Sequence, residues 1–418
     1  MTKTKNSSLY TDSNVVTELL KCVREPLMKT LSLLIPMLLI ILLPQAIYGQ
    51  SKTLNIIYTG SMNGELEPCG CSPKTDFGGV ARISGYLAAH NKELSARILV
   101  DAGNFTDKDT PQGRLKSEAM LKSFGIMKYD AVAFMKKEKG FPEDFFPPVI
   151  NEYKIPVISS MTPYEQSVSV NRDAFKINVS VDPENYREGR LNILLTDVSV
   201  REAGFIKGWD VIITSSGEIL DEPLTINETI IAAGYPKGKK LGILTLQIGS
   251  GGEVKNYKNG WQLLGSDIEE YPGVRDILND YDSKVAGLLR ESGKPPEGTS
   301  YLGAAKCAEC HRLFEESWKK TRHARAFSSL KQAGKSADPE CIVCHTVGFG
   351  EQGGFYSIET TPELANVQCE ECHGLDREHI DDFSRPMKPV TKAVCLKCHT
   401  EDNSPDFDYP VYLKKIKH

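Results

Sequence analysis

The chain has 418 residues, enough for two or three domains, with 50 Lys and Arg against 55 Asp and Glu and a net charge of -5. So close a balance excludes bulk electrostatic attraction to nucleic acid or to anionic membranes. Of 11 cysteines, all but Cys22, Cys69 and Cys71 fall in four short clusters near the C-terminus, so no disulfide framework spread along the chain can be built.

Residues 1–50 read as an export signal. Leu31 to Leu43 is apolar except for Ser32 and Pro36; Lys21, Arg24 and Lys29 precede it, and Pro44, Ala46 and Gly49 follow. A comfortable membrane span needs about 20 residues, so cleavage near Gly49 is expected, with an uncleaved N-terminal anchor as the alternative. Either way the rest of the chain faces an oxidising, periplasmic or otherwise extracytoplasmic compartment.

Residues 51–290 read as a layered α/β domain. Short apolar runs at Leu54 to Tyr58, Ile98 to Val100, Asp130 to Phe134, Ile155 to Ser159, Leu191 to Leu195, Asp210 to Thr214 and Leu241 to Leu246 have the character of buried strands. Helical patterns lie between several of them, including Gly79 to Asn91 and Leu115 to Phe124, and Val274 to Arg290 closes the domain. Residues 291–300, with the Gly and Pro cluster SGKPPEGTS, form a linker.

The segments LNIIYTGSMNGELEPCGC from Leu54, GGVAR from Gly78 and ILVDAG from Ile98 resemble the calcineurin-like metallophosphoesterase domain of periplasmic 5′-nucleotidases and UDP-sugar hydrolases. The resemblance implies that family's fold and a dinuclear metal centre that activates water for phosphoester hydrolysis. The ligands have gone, however. The family's Asp-x-His falls on Ser61 and Asn63, a later Asp falls on Asn104, Met135 to Lys139 offers no Asn-His-Glu, and the late Gly-His falls near Thr214 and Ser215. Only Asp101 survives, as a strand-end Asp satisfying a turn, and His90, the one His between residues 51 and 300, sits on a polar helix end. The nucleotidases' C-terminal base-recognition domain is also replaced. A catalytically degenerate scaffold is therefore expected.

One loop resists that reading. Cys69-Gly70-Cys71 lies where the ancestral active site would open. Nucleotidase-like bacterial proteins with a similar segment, some carrying selenocysteine, are associated with multihaem cytochromes, so the resemblance implies a redox role. The thiols could form a reducible bridge, bind a soft metal, take a sulfur ligand or be merely structural.

Residues 301–418 carry Cys-x-x-Cys-His four times: Cys307, Cys310 and His311; Cys341, Cys344 and His345; Cys369, Cys372 and His373; Cys395, Cys398 and His399. Two thiols at this spacing add across the vinyl groups of one haem, and the adjacent imidazole becomes its proximal iron ligand. With so few His in the chain, four such coincidences have odds on the order of one in ten million, which leaves zinc or disulfide pairing as the competing chemistry. Four haem c in so short a segment would supply much of its core, giving a small, mainly α, loop-rich domain with single helical turns at Glu340 to His345, Gln368 to His373 and Ala393 to His399.

Beyond the proximal imidazoles the domain holds only His323, His379 and His418, so at least one iron must use Met387, another donor, water or nothing. The segments YLGAAKCAECH, TRHARAF and VQCEECHGLDREH resemble the tetrahaem cytochrome c five-fifty-four family linked to hydroxylamine oxidation. That resemblance implies His323 and His379 as distal ligands and one five-coordinate haem. Leu375-Asp376 departs from the family's Pro-Gly. The function expected is extracytoplasmic electron transfer with redox proteins as partners, the degenerate domain serving as scaffold or docking surface. The alternative is a haem enzyme converting a small nitrogen or oxygen species at an open iron. A phosphoesterase with an appended cytochrome is disfavoured by the missing ligands.

Overall fold

The computed structural model describes residues 51–68, 71–291, 301–375 and 377–417. The export segment, Cys69, most of the expected linker and His418 lie outside the described residues.

Twelve strands build the N-terminal lobe. The first six are β1 (Lys52–Thr59), β2 (Arg97–Asp101), β3 (Ala131–Phe134), β4 (Val157–Ser159), β5 (Ser167–Arg172) and β6 (Phe175–Ser180). They are followed by β7 (Leu191–Thr196), β8 (Val211–Thr214), β9 (Leu224–Ile226), β10 (Thr229–Ala233), β11 (Lys240–Ile248) and β12 (Val254–Leu263). Five helices join them: α1 (Val80–Ala89), α2 (Pro111–Met127), α3 (Pro147–Tyr153), α4 (Val200–Ala203) and α5 (Pro272–Glu291).

Two six-stranded sheets result, ordered β12-β11-β1-β2-β3-β4 and β5-β6-β7-β8-β10-β9. The centres are parallel: β1 pairs with β2 through Ile56↔Ile98 and Ile57↔Leu99, and β7 pairs with β8 through Leu194↔Ile212. Such strands are covered on both faces, which is why they read as unbroken apolar runs, and all seven expected runs are strands. The five remaining strands escape that reading for a physical reason. β5 and β9 are antiparallel edges with mostly half-buried or exposed residues, and β12 is exposed along much of its length. The other two are buried: β6 is interrupted by the polar Lys176, Asn178 and Ser180, and β10 lies directly after the exposed edge β9.

The main core packs Ile57, Leu99, Val132 and Phe134 of the first sheet against Ile83 of α1, Phe124 of α2 and Leu278 of α5. Thr110 caps α2, its hydroxyl accepting from Gly113 N at 3.0 Å, and Pro111 sits at the first turn, where its missing N–H costs nothing. Residues 248–253 belong to a separate unit and make a tight turn, with Gly249 N donating to Glu253 O at 2.9 Å.

After residue 300 the chain changes character. Apart from the helix Gly303–Trp318, which is broken at His311 by φ -115 and ψ 42, the elements are short: Pro339–Ile342, Cys369–His373 and Lys392–Cys395 lie at the three turns expected beside cysteine pairs. Its core is one small cluster around Phe327, Leu330, Ile342, Val347, Phe355 and Leu364. Apolar side chains left in solvent include Leu313 at 77% and Phe383 at 72% exposure, the surface expected where a large apolar group completes the packing.

Candidate haem sites and the strand-end loops

The loops after the first-sheet strands carry the residues that the resemblance singled out. Ser61, Asn63 and Asn104 all hold left-handed φ near 55°, an uncommon state for residues other than glycine that persists only where surroundings enforce it. Their side chains hold one another: Ser61 Oγ donates to Ser215 O at 2.6 Å and Asn104 Nδ2 donates to the same oxygen at 3.0 Å. Asp101 is fully buried, accepting from Gly103 N at 2.8 Å, a strand-end turn, and from Thr59 Oγ at 2.6 Å. His90 stacks on Tyr86, ring centroids 4.1 Å apart, and its Nδ1 lies 3.0 Å from Tyr86 O.

Glu138 is the residue that sequence reading passed over. A lone acid in a lysine-rich run reads as solvated, yet it is buried and accepts from Asn104 N, Met135 N and Thr106 N at 2.9–3.1 Å and from Thr106 Oγ at 2.9 Å. It ties the ends of β2 and β3 together. Among the described residues no group of three or more His, Cys, Asp or Glu is placed to hold a metal ion.

Burial raises the Asp101 carboxyl to about 7. A folded-state pKa above the unfolded value means that stability declines as pH climbs from about 4 toward 7, because ionisation is then resisted only in the fold. Asp101→Asn should remove that slope: unfolding free energies measured at pH 4.5 and pH 8 should show the variant gaining roughly 3 kcal/mol on the wild type across the interval.

In the C-terminal lobe the imidazoles pair across space. His311 and His379 have ring centroids 5.9 Å apart with planes 25° from parallel, and His323 and His399 stand 6.1 Å apart. Metal–nitrogen bonds of about 2 Å on either side of one iron put two ring centroids about 6 Å apart, so both pairs fit a six-coordinate haem iron. The tautomers fit as well. Nδ1 of His345 lies 2.6 Å from Ala326 O, that of His379 lies 2.5 Å from Arg385 O and that of His373 lies 3.3 Å from Lys388 O, which leaves each Nε2 for a metal. Burial holds the His323 and His399 pKa values below the usual range, the neutral state that ligation requires. Among the described residues no second ring is paired with His345. Met387 is half-buried in a loop.

The eight cysteines of the four motifs are free thiols and only half-buried or exposed, open to alkylation. The Cys307 thiol lies beside that of Cys369, the Cys344 thiol beside that of Cys398, and Cys372 near Cys395. Numbering the sites along the chain, the first touches the third, the third approaches the fourth and the fourth touches the second. Backbone contacts enforce this: Glu370 and Gln368, beside Cys369, accept from the N–H groups of Gly303 and Ala304 at 2.8 and 2.5 Å, capping the helix that carries Cys307. Trp318 Nε1 reaches Val367 O at 2.8 Å.

The second and fourth sites are also fastened to the α/β lobe. Lys116 meets Glu340 at 2.6 Å, Lys335 meets Glu67 at 2.6 Å and Asp282 at 2.7 Å, and Lys237 and Lys239 reach Asp402 at 2.5 and 2.7 Å. Cys71 is exposed and disulfide-bonded.

Comparison with known proteins divides the chain in the same way. Residues 306–374 match the family model described as cytochrome c554 and c-prime. Cytochrome c-554 of Nitrosomonas europaea is 37% identical over 108 residues, 22% of this chain and 46% of that protein, so the chain spans less than half the length of this relative. A 5′-nucleotidase precursor from Thermus thermophilus superposes with a TM-score of 0.50 at 16% identity, covering 68% of each chain. NAD nucleotidase of Haemophilus influenzae superposes with a TM-score of 0.45 at 15% identity, covering 56% of this chain and 60% of that one. The N-terminal lobe thus has the metallophosphoesterase fold, and the C-terminal lobe carries a cytochrome c554 domain, which implies covalently bound c-type haem.

Proposed function

We propose that the protein carries electrons outside the cytoplasm through four haem c groups, with the dismantled α/β lobe as scaffold and docking surface. The facing imidazole pairs, 5.9 and 6.1 Å between ring centroids, carry the reading. Each haem supplies a one-electron ferric/ferrous couple when bound. The four cysteine pairs tether it, His311, His345, His373 and His399 hold the iron from one side, and His379 and His323 hold the first and fourth irons from the other. The thiol contacts order the sites first, third, fourth, second, an uninterrupted row suited to hopping.

Redox proteins docking weakly and transiently are the partners this implies. Export rests on residues 1–50, and among the described residues no helix is long and apolar enough to cross a membrane. A second reading rests on the second site: His345 faces no ring among the described residues, and an iron with an open position binds small molecules, which would make the protein a haem enzyme.

A pyridine haemochrome count with electron paramagnetic resonance of the oxidised protein tests both. Four haems per chain with at least one high-spin iron is expected. Fewer than four, or colourless zinc-loaded protein, overturns the first reading; wholly low-spin iron, unchanged by nitric oxide, overturns the second.

A further inference from the structure

Acidic and basic residues nearly balance over the whole chain, yet folding separates them around the fourth haem site. Residues 388–417 hold six lysines, Lys388, Lys392, Lys397, Lys414, Lys415 and Lys417, and four acids, Glu401, Asp402, Asp406 and Asp408. Three of the acids are engaged. On the α/β lobe Lys237 and Lys239 hold Asp402 at 2.5 and 2.7 Å and Lys74 meets Asp406 at 2.8 Å. Asp408 caps the final helix, Tyr409–Ile416, accepting from Val411 N at 2.9 Å. All six lysines are exposed, and among the described residues none has a carboxylate at ion-pair distance; Lys397 feels Glu371 only from farther away.

The lysines also converge. Tyr409 Oη donates to Val390 O at 3.0 Å, fastening the final helix to the segment that enters the Cys395–His399 motif. Tyr412 stands edge-on to the His399 ring at 5.6 Å, and the Lys415 ammonium lies over Tyr412 at 4.6 Å. Lys392 opens the helical turn that carries Cys395, and Lys397 lies inside the motif. Beside them Leu396 and Val411 are left 44% and 49% exposed. Apolar side chains within a charged, solvated rim are the anatomy of a protein docking face.

We propose that this lysine face is where a redox protein with an acidic surface docks and exchanges single electrons with the haem at Cys395–His399. The proposal rests on the electron-transfer reading above. It puts the partner on the haem lobe, and the α/β lobe contributes by neutralising Asp402 and Asp406. In the reducing direction one electron leaves the reduced centre of the docked protein and one ferric iron becomes ferrous; no bond forms or breaks and no proton moves. Entry at the fourth site falls inside the row, one step from both the second and the third sites. Opposite charge speeds such encounters by about tenfold or more, an effect that fades with salt.

Stopped-flow reduction of the haem-loaded full chain by a plant-type ferredoxin, an acidic one-electron donor, tests this. The wild-type rate should fall about tenfold as ionic strength rises from about 0.01 to about 0.15 M. Lys392→Gln with Lys397→Gln and Lys414→Gln should cost roughly tenfold at the lower salt and flatten that dependence. Lys154→Gln with Lys176→Gln and Lys207→Gln removes the same charge from exposed positions of the α/β lobe and should cost little. Photoreduced flavin, a small donor that needs no docking face, should reduce all three proteins alike, which shows their haems intact. A salt-independent wild-type rate, or equal losses in the two triple variants, would overturn the proposal. So would binding to phosphatidylserine vesicles that the first triple variant abolishes, with no salt dependence of the ferredoxin rate, since that assigns the face to a lipid surface. Haems that flavin cannot reduce would overturn the electron-transfer reading instead. If the first variant folds poorly, Lys415→Gln with Lys417→Gln, at the end of the final helix, reads the same effect at smaller size.

Discussion

Replacing His379 by Ala should create one additional high-spin haem per chain while leaving the haem count unchanged. The thioether cysteines are untouched, so the haemochrome count stays constant and only the coordination number changes. His379 is fixed for its role by neighbours that the substitution spares: Nδ1 sits 2.5 Å from Arg385 O, and Phe383 packs edge-on against the ring at 6.3 Å. Its loss leaves His311 as the sole imidazole on that iron. His323→Ala should do the same at the fourth site, where His399 is also braced by Phe407 at 4.8 Å. Because the two pairs share no residue, the double variant should show two new high-spin irons, the sum of the singles. Added imidazole should restore low-spin spectra in each, since the cavity left is the shape of the ring removed. Electron paramagnetic resonance reads every arm, and unchanged spectra in His379→Ala would mean that the 5.9 Å pairing is not a ligand pair.

What the residues reveal unaided follows from how local the signal is. The haem motif is a pentapeptide, so Cys307 to His311 announces itself without any fold. The parallel strands are equally local, because burial on both faces makes Ile98 to Val100 apolar throughout. Signals that depend on a partner are harder to see. β9, with Leu224 and Thr225 exposed, becomes a strand only because β10 lies beside it. Glu138 gives no sign that four donors await it, since three of them belong to Asn104 and Thr106 on another loop. The histidines fall between these cases: resemblance singles out His323 and His379, but only the folded chain sets their rings near those of His399 and His311. The scarcity of imidazoles was countable from His90 alone, while the left-handed backbone at Ser61, Asn63 and Asn104 was not.

Lys335→Met should cost the junction between the lobes roughly 3 kcal/mol, because breaking a sequestered ion pair from one side leaves its partners uncompensated. Lys335 is only 21% exposed and faces two carboxylates, Glu67 at 20% and Asp282 at 29%. By contrast, Lys74 and Asp406, 66% and 61% exposed, form a pair whose removal should be nearly silent. Burial acts against the charges at this junction, lowering Lys335 and raising Glu67, but the attraction of Glu67 and Asp282 for Lys335, and of Lys335 and Arg275 for Glu67, wins at both groups. The net shifts are therefore upward for the lysine and downward for the glutamate. A raised lysine stabilises fully below its unfolded pKa and loses that contribution as pH rises through the folded value. A depressed glutamate stabilises above its unfolded pKa and loses it as pH falls. Burial outweighs Lys335 at Asp282, whose pKa is raised, so this carboxylate subtracts from the pair above about pH 4 without reversing it. The clamp should thus hold through neutral pH and release below about pH 4.5 and above about pH 10.5. Proteolytic nicking between residues 291 and 301 should reveal release: wild-type lobes should co-elute at pH 7 and separate in acid, and Lys335→Met lobes should separate already at pH 7 with haem content intact. Co-elution of the nicked variant at pH 7 would mean that Lys116 with Glu340 and the small apolar contact of Leu289 with the C-terminal core hold the junction without Lys335.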